Sequence, residues 1–159
     1  MSVLRSPVYA HHDPSKLDAA NRYNYIDQGI QTVTYRLLPH EGTWQNASVA
    51  RRALELNVRP IAVNEYIHGG RLPAAMSYLE AEPSSIVVTV CKKAEDSDAL
   101  IIRAYESVGQ NTTATIRVPY WGVEWTAQFG AHAVKSWKVS GGMNGTIEEV
   151  DLLEGTEYL

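Results

Sequence analysis

Thr113-Ala114-Thr115-Ile116-Arg117-Val118 is the stretch on which the fold turns, because polar and apolar residues alternate strictly along it. Successive side chains of a strand point to opposite faces. Ala114, Ile116 and Val118 are therefore expected to meet a core, with Thr113, Thr115 and Arg117 in water. Just downstream, Trp125, Ala127 and Phe129 alternate with Glu124, Thr126 and Gln128 in the same way. Upstream, Val33, Tyr35 and Leu37 alternate with Thr32, Thr34 and Arg36, which predicts another half-buried strand. Two more runs, Ile86-Val87-Val88-Thr89-Val90-Cys91 and Leu100-Ile101-Ile102, are nearly continuous in apolar residues. Their β-branched side chains suit strands buried on both faces, which would leave Cys91 an inert thiol between strands.

Turn chemistry separates these runs. Glu95-Asp96-Ser97-Asp98 and Gly109-Gln110-Asn111 each suit a hairpin. Gly69-Gly70-Arg71-Leu72-Pro73 and Ser140-Gly141-Gly142-Met143-Asn144-Gly145 make longer breaks. From Trp44 to Leu56 the period changes: Ala47, Ala50 and Leu54 recur at helical spacing opposite Arg51, Arg52 and Glu55. Thr43 is the expected N-cap and Asn57 the expected stop. The fold class that follows is all-β, an antiparallel β-sandwich of two packed sheets with one short helix near residues 44–56. A single domain over residues 1–159 is expected. Tyr9 to Asp27 stands apart as a long polar loop without period, and loops of that length in compact domains are usually functional or disordered.

With 159 residues, 45% hydrophobic and 20% charged, the chain has the composition of one globular domain. A net charge of −4 with acids and bases interspersed gives no basic patch, which argues against nucleic acid as a partner. No segment has the length and apolarity of a membrane span, so no membrane partner is expected. The single cysteine permits no internal disulfide, and together with the absence of a secretory pattern it suggests a cytoplasmic setting.

Catalytic constellations are sparse. Of the histidines His11, His12, His40, His68 and His132, only the first two are neighbours, and on a strand they would face opposite ways. No His-Glu-x-x-His, Cys-x-x-Cys or His-x-Asp spacing occurs, so no metal site is expected. Glu95-Asp96 and Asp98 fall in a solvated hairpin tip, whereas glycosidic cleavage needs carboxylates about 5–10 Å apart across a cleft. There is no Gly-x-Ser-x-Gly elbow and no phosphate-binding loop. No catalytic residue is therefore assigned. Aromatic residues are more suggestive: Trp44 and Trp125 read as core anchors, while Tyr120 and Trp121, in the turn Pro119-Tyr120-Trp121-Gly122, could stack on a sugar ring.

Read in order, several segments resemble the C-terminal region of family-38 glycoside hydrolases, the α-mannosidases. They begin with Leu4-Arg5-Ser6-Pro7 and Asp27-Gln28-Gly29. Thr34-Tyr35-Arg36-Leu37-Leu38-Pro39-His40-Glu41-Gly42, followed by Trp44, is the strongest. Ala53, Glu55-Leu56-Asn57, Lys92-Lys93-Ala94-Glu95-Asp96 and Leu100-Ile101-Ile102-Arg103-Ala104-Tyr105-Glu106 come next. Phe129-Gly130-Ala131-His132-Ala133-Val134-Lys135-Ser136-Trp137 and Glu149-Val150-Asp151-Leu152-Leu153-Glu154 complete the set. One departure is visible: in many relatives the aspartate-leucine-leucine-glutamate block precedes the last strand, whereas here it follows the segment ending at Trp137.

That resemblance implies an enzyme whose chemistry lies on another domain, where a zinc ion and an aspartate nucleophile cleave α-mannosides with retention. None of those groups maps onto this sequence. The resemblance casts the chain as a C-terminal module packing on that catalytic domain, with mannose-containing glycans as the parent's substrates. The segment through Asp27-Gln28-Gly29, with His11 and His12 before it, would be the loop lent to the cleft rim. Two other readings stay open: a free-standing carbohydrate-binding module using Tyr120 and Trp121, and a structural module that forms homo-oligomers.

Overall fold

The computed structural model describes residue 6 and residues 17–141 and 145–156. The chain divides into two compact units, residues 1–39 and residues 40–159. No strand is assigned between residues 31 and 40, and Val33, Tyr35 and Leu37 are exposed. The alternation that suggested a strand there selects a face but supplies no partner. A strand gains its stability from cross-strand pairs and burial, and these residues have neither.

The second unit begins with a helix, α1, over Val49–Asn57. Thr43 does start this region, since its hydroxyl accepts the Asn46 N–H at 3.4 Å and its carbonyl accepts the Ala47 N–H at 3.1 Å. The expected helix is nevertheless shortened at its front. Ser48 adopts the left-handed conformation (φ 53°), so residues 44–48 form turns and the regular helix starts only after it. Asn57 ends α1 as expected, its amide donating to the Ala53 carbonyl at 2.8 Å. Trp44 is largely exposed and anchors no core. Arg51 fastens the helix, donating from Nη2 to the carbonyls of Ala81 and Ile86, each at 3.2 Å.

Among the described residues seven strands follow: β1 Glu80–Glu82, β2 Ile86–Lys93, β3 Leu100–Glu106, β4 Thr112–Val118, β5 Val123–Phe129, β6 Val134–Ser140 and β7 Thr146–Val150. They form a three-stranded sheet in the order β1-β4-β5 and a four-stranded sheet in the order β2-β3-β6-β7. Every pairing within these two sheets is antiparallel. The all-β sandwich expected from the alternation is therefore the observed architecture.

Its core is the one the period-two pattern named. Ala114, Ile116 and Val118 of β4 and Ala127 and Phe129 of β5 are buried, and they pack with Ile102, Ala104, Trp137 and Val139 of the other sheet. Each isoleucine taken fully from water contributes roughly 1.5–3 kcal/mol before entropy is counted. Trp137 meets Trp125 and Phe129 edge-on, with centroids 5.6 and 5.8 Å apart. Ile101, facing the opposite side of β3, is also fully buried and joins Ala94 and Ala99 in a small second cluster.

Two expectations change. The run Ile86–Cys91 is not buried on both faces: β2 lies at a sheet edge, a bulge falls at Thr89, and Cys91 is exposed. Apolar composition alone does not tell an interior strand from an edge. Glu95–Asp98 does close the β2–β3 hairpin, but Gly109-Gln110-Asn111 closes none. It carries the chain from β3 in one sheet to β4 in the other. Turn residues report a reversal of direction, not which sheet receives the next strand.

The aspartate-leucine-leucine-glutamate block lies after β7 as a tight turn. Asp151 Oδ1 accepts the N–H groups of Leu153 and Gly155 at 2.7 and 3.0 Å. Glu154 then reaches the β2–β3 hairpin, accepting the Glu95 N–H at 3.0 Å and pairing with Lys92 at 2.7 Å. Arg103 donates to the Leu152 carbonyl at 3.1 Å and to Ser136 Oγ at 2.8 Å. Among the described residues no helix is long and apolar enough to cross a membrane.

Candidate functional site

His11 and His12 lie outside the described residues, so the rim loop expected from the sequence is represented by its later part. That part is built by side chains folding back on their own backbone. Asp18 Oδ1 accepts the Ala20 N–H at 2.9 Å, and the Asp18 carbonyl accepts the Asn21 N–H at 3.1 Å, a turn that aspartate favours. The Asp18 N–H in turn donates to Tyr23 Oη at 2.9 Å. Asp27 sits in the left-handed region (φ 57°) and Gly29 at φ 119°, a conformation that only glycine adopts easily. Between them, Gln28 donates from Nε2 to Ser6 Oγ at 2.8 Å and to the Ile26 carbonyl at 3.3 Å.

Gln28 also lines an open groove of about 710 Å³ with Leu17, Asp18, Arg22, Tyr25 and their neighbours. The lining offers amide, guanidinium and phenol groups, which hydrogen-bond a polar ligand and present a ring face to it. Among the described residues it offers no nucleophile beside a base, and its one carboxylate, Asp18, is engaged by its own turn. Of the residues expected at the rim, the structure therefore places Gln28 in the groove, and Asp27 and Gly29 shape the bend that holds it. Arg22 and Tyr25 were missed because nothing in a stretch without period marks which polar residue faces a hollow.

The expected aromatic pair changes its membership. Tyr120 is 56% exposed, whereas Trp121 is half-buried and packs against the core. The ring beside Tyr120 is Tyr78, 59% exposed, with centroids 6.1 Å apart and planes inclined at 48°. The two tyrosines are 42 positions apart in sequence, 120 less 78, and only the pairing of β1 with β4 brings them together.

One buried acid was also overlooked. Glu106 is 0% exposed and accepts four backbone N–H groups: Val108 at 2.9 Å, Gly109 at 2.7 Å, Gln110 at 3.1 Å and His132 at 3.2 Å. Burial pushes its pKa up, but the donors outweigh it, and the carboxyl lies below its ordinary value. Such an acid is held ionised for structure: it ties the β3–β4 crossing to the β5–β6 crossing. A signal existed, since Glu106 is in phase with the inward residues Ile102 and Ala104. Among the described residues no three His, Cys, Asp or Glu side chains gather as metal ligands.

Residues 85–157 match the family model of the glycosyl hydrolases family 38 C-terminal beta sandwich domain, a span holding β2 to β7. Alpha-mannosidase G of Dictyostelium discoideum is 32% identical over 88 residues, which are 55% of this chain and 8% of that protein. The chain thus corresponds to a small part of that relative. No solved structure matches the chain significantly.

Proposed function

We propose, because residues 85–157 match the family model of the glycosyl hydrolases family 38 C-terminal beta sandwich domain, that the chain is the structural C-terminal module of an α-mannosidase, packing on a catalytic domain that it does not itself contain. The observation that carries this reading is a group of apolar side chains left uncovered among the described residues. Ile61, Val63, Tyr66 and Ile67 follow α1 in a segment without regular structure and stand almost fully in water, Ile61 at 91%. Several large apolar side chains exposed close together in sequence suit an interaction site. In the first unit Ile30 and Leu37 are similarly open. The occupant we assign to the apolar segments is the catalytic domain of the same parent.

The groove around Gln28 takes the role of cleft rim in this reading, its amide and the Arg22 guanidinium binding sugar hydroxyls. Zinc and the nucleophile belong to the catalytic domain, and mannose-containing glycans are the parent's substrates. A cytoplasmic location belongs to the same reading.

Two assays test it. The purified chain, supplied with zinc, is expected to leave an aryl α-mannoside intact, and zinc-dependent cleavage would overturn the assignment. In the full polypeptide that joins this module to a catalytic domain, Gln28→Ala should raise KM for that substrate. An unchanged KM removes the rim role while leaving the packing role in place.

A further inference from the structure

We propose that Tyr78 and Tyr120 form a stacking site for a pyranose ring of a mannose-type glycan, separate from the groove around Gln28. The site lies at the end of the three-stranded sheet away from Glu106, where β4 leaves and β5 enters. Glu80 of β1 pairs with Arg117 of β4, which carries Tyr78 to the level of the turn after Val118. In that turn Pro119 fixes the backbone, Gly122 reverses it at φ 65°, and the Gly122 N–H closes it on the Pro119 carbonyl at 3.1 Å. Trp121 anchors the turn in the core, leaving Tyr120 directed outward. Tyr120 is thus held by a closed turn, and Tyr78 lies at the bend two residues before β1.

The occupant follows from size and chemistry. A stable protein partner needs roughly 800 Å² on each side, far more than two phenols present. Two exposed rings, 6.1 Å apart and inclined at 48°, offer adjoining apolar faces, and each carries a hydroxyl. Those faces suit the C–H side of a sugar, and the hydroxyls suit its O–H groups. On the same sheet Arg117 is held between Glu82 and Glu124, providing charged hydrogen-bonding groups nearby. The likeness to a protein named alpha-mannosidase selects mannose among the pyranoses to test first. The site does not depend on the packing reading, which concerns other residues.

The test uses the full chain with methyl α-mannopyranoside and an α-linked mannobiose, read by saturation-transfer NMR. Saturable transfer is expected. Tyr78→Ala and Tyr120→Ala, each shown to be folded by circular dichroism, should weaken binding by about threefold or more. Lys93→Ala, at the exposed β2–β3 hairpin, should leave it unchanged. Absence of saturable binding overturns the proposal, as does binding kept at full strength in both tyrosine variants. Neither result touches the packing of the module on a catalytic domain.

Discussion

Replacing Glu106 with glutamine changes one charge and almost no volume, so its effect isolates the role of the buried carboxylate. Oε2 accepts from Gly109, Gln110 and His132, and Oε1 accepts from Val108. A glutamine can direct its oxygen to the three-donor side, which turns its own amide toward the Val108 N–H. A hydrogen bond to a charged acceptor contributes about 1.5–3 kcal/mol and a neutral one about 0.5–1.5 kcal/mol, so three weakened bonds lose roughly 3 kcal/mol. The orphaned Val108 donor costs roughly 1–3 kcal/mol more. Offsetting this, an amide is easier to bury than an ion, by up to several kcal/mol. The expected net loss is about 2–4 kcal/mol, a large part of the stability of a small domain. Urea unfolding followed by far-UV circular dichroism measures it, with the m-value unchanged if the folded state is intact. A Glu106→Gln variant within about 0.5 kcal/mol of the parent would refute the reasoning. The pH dependence supplies a second handle. The folded carboxyl lies below its ordinary value of 4.5, so the unfolded chain takes up protons first as acid is added. The stabilisation is complete above that value and disappears as pH falls through the lower folded value; glutamine should flatten that acid limb.

Gly109→Ala should lower Tm, because Gly109 sits at φ 79° and an added Cβ would lie 2.8 Å from His132 Nε2. The backbone conformation alone costs about 1–2 kcal/mol, and an unchanged Tm would show that the crossing relaxes freely. Cys91 is exposed and desolvation by its neighbours raises its pKa above 9.0, so iodoacetamide should label the folded chain slowly at neutral pH and faster as pH rises beyond that value. Labelling that requires denaturant would restore the buried thiol that the sequence suggests.

How much of this was legible in the sequence depends on the kind of information each feature needs. Ala114, Ile116, Val118, Ala127 and Phe129 were readable because a period of two encodes which face is buried, and burial then occurred. Val33, Tyr35 and Leu37 carry the same pattern without being in a strand, since pairing depends on residues far along the chain. Gly109 marked a turn correctly and its destination incorrectly for the same reason. At the candidate sites, Gln28 was found through resemblance, while Tyr78 could be placed beside Tyr120 only through the register of β1 on β4. Local patterns encode faces; distances between remote residues come from topology.

The turn after β7 bears on where the sandwich can be cut. Every strand is complete by Val150, so a designer trimming there would keep both sheets on paper. The trimmed protein would nevertheless lose the latch in which Glu154 grips Lys92 and the Glu95 N–H. Arg103 would also be left without its main-chain acceptor at Leu152. A workable boundary for an excised module therefore lies beyond Gly155, where the Asp151 N–H meets the Gly155 carbonyl at 2.7 Å.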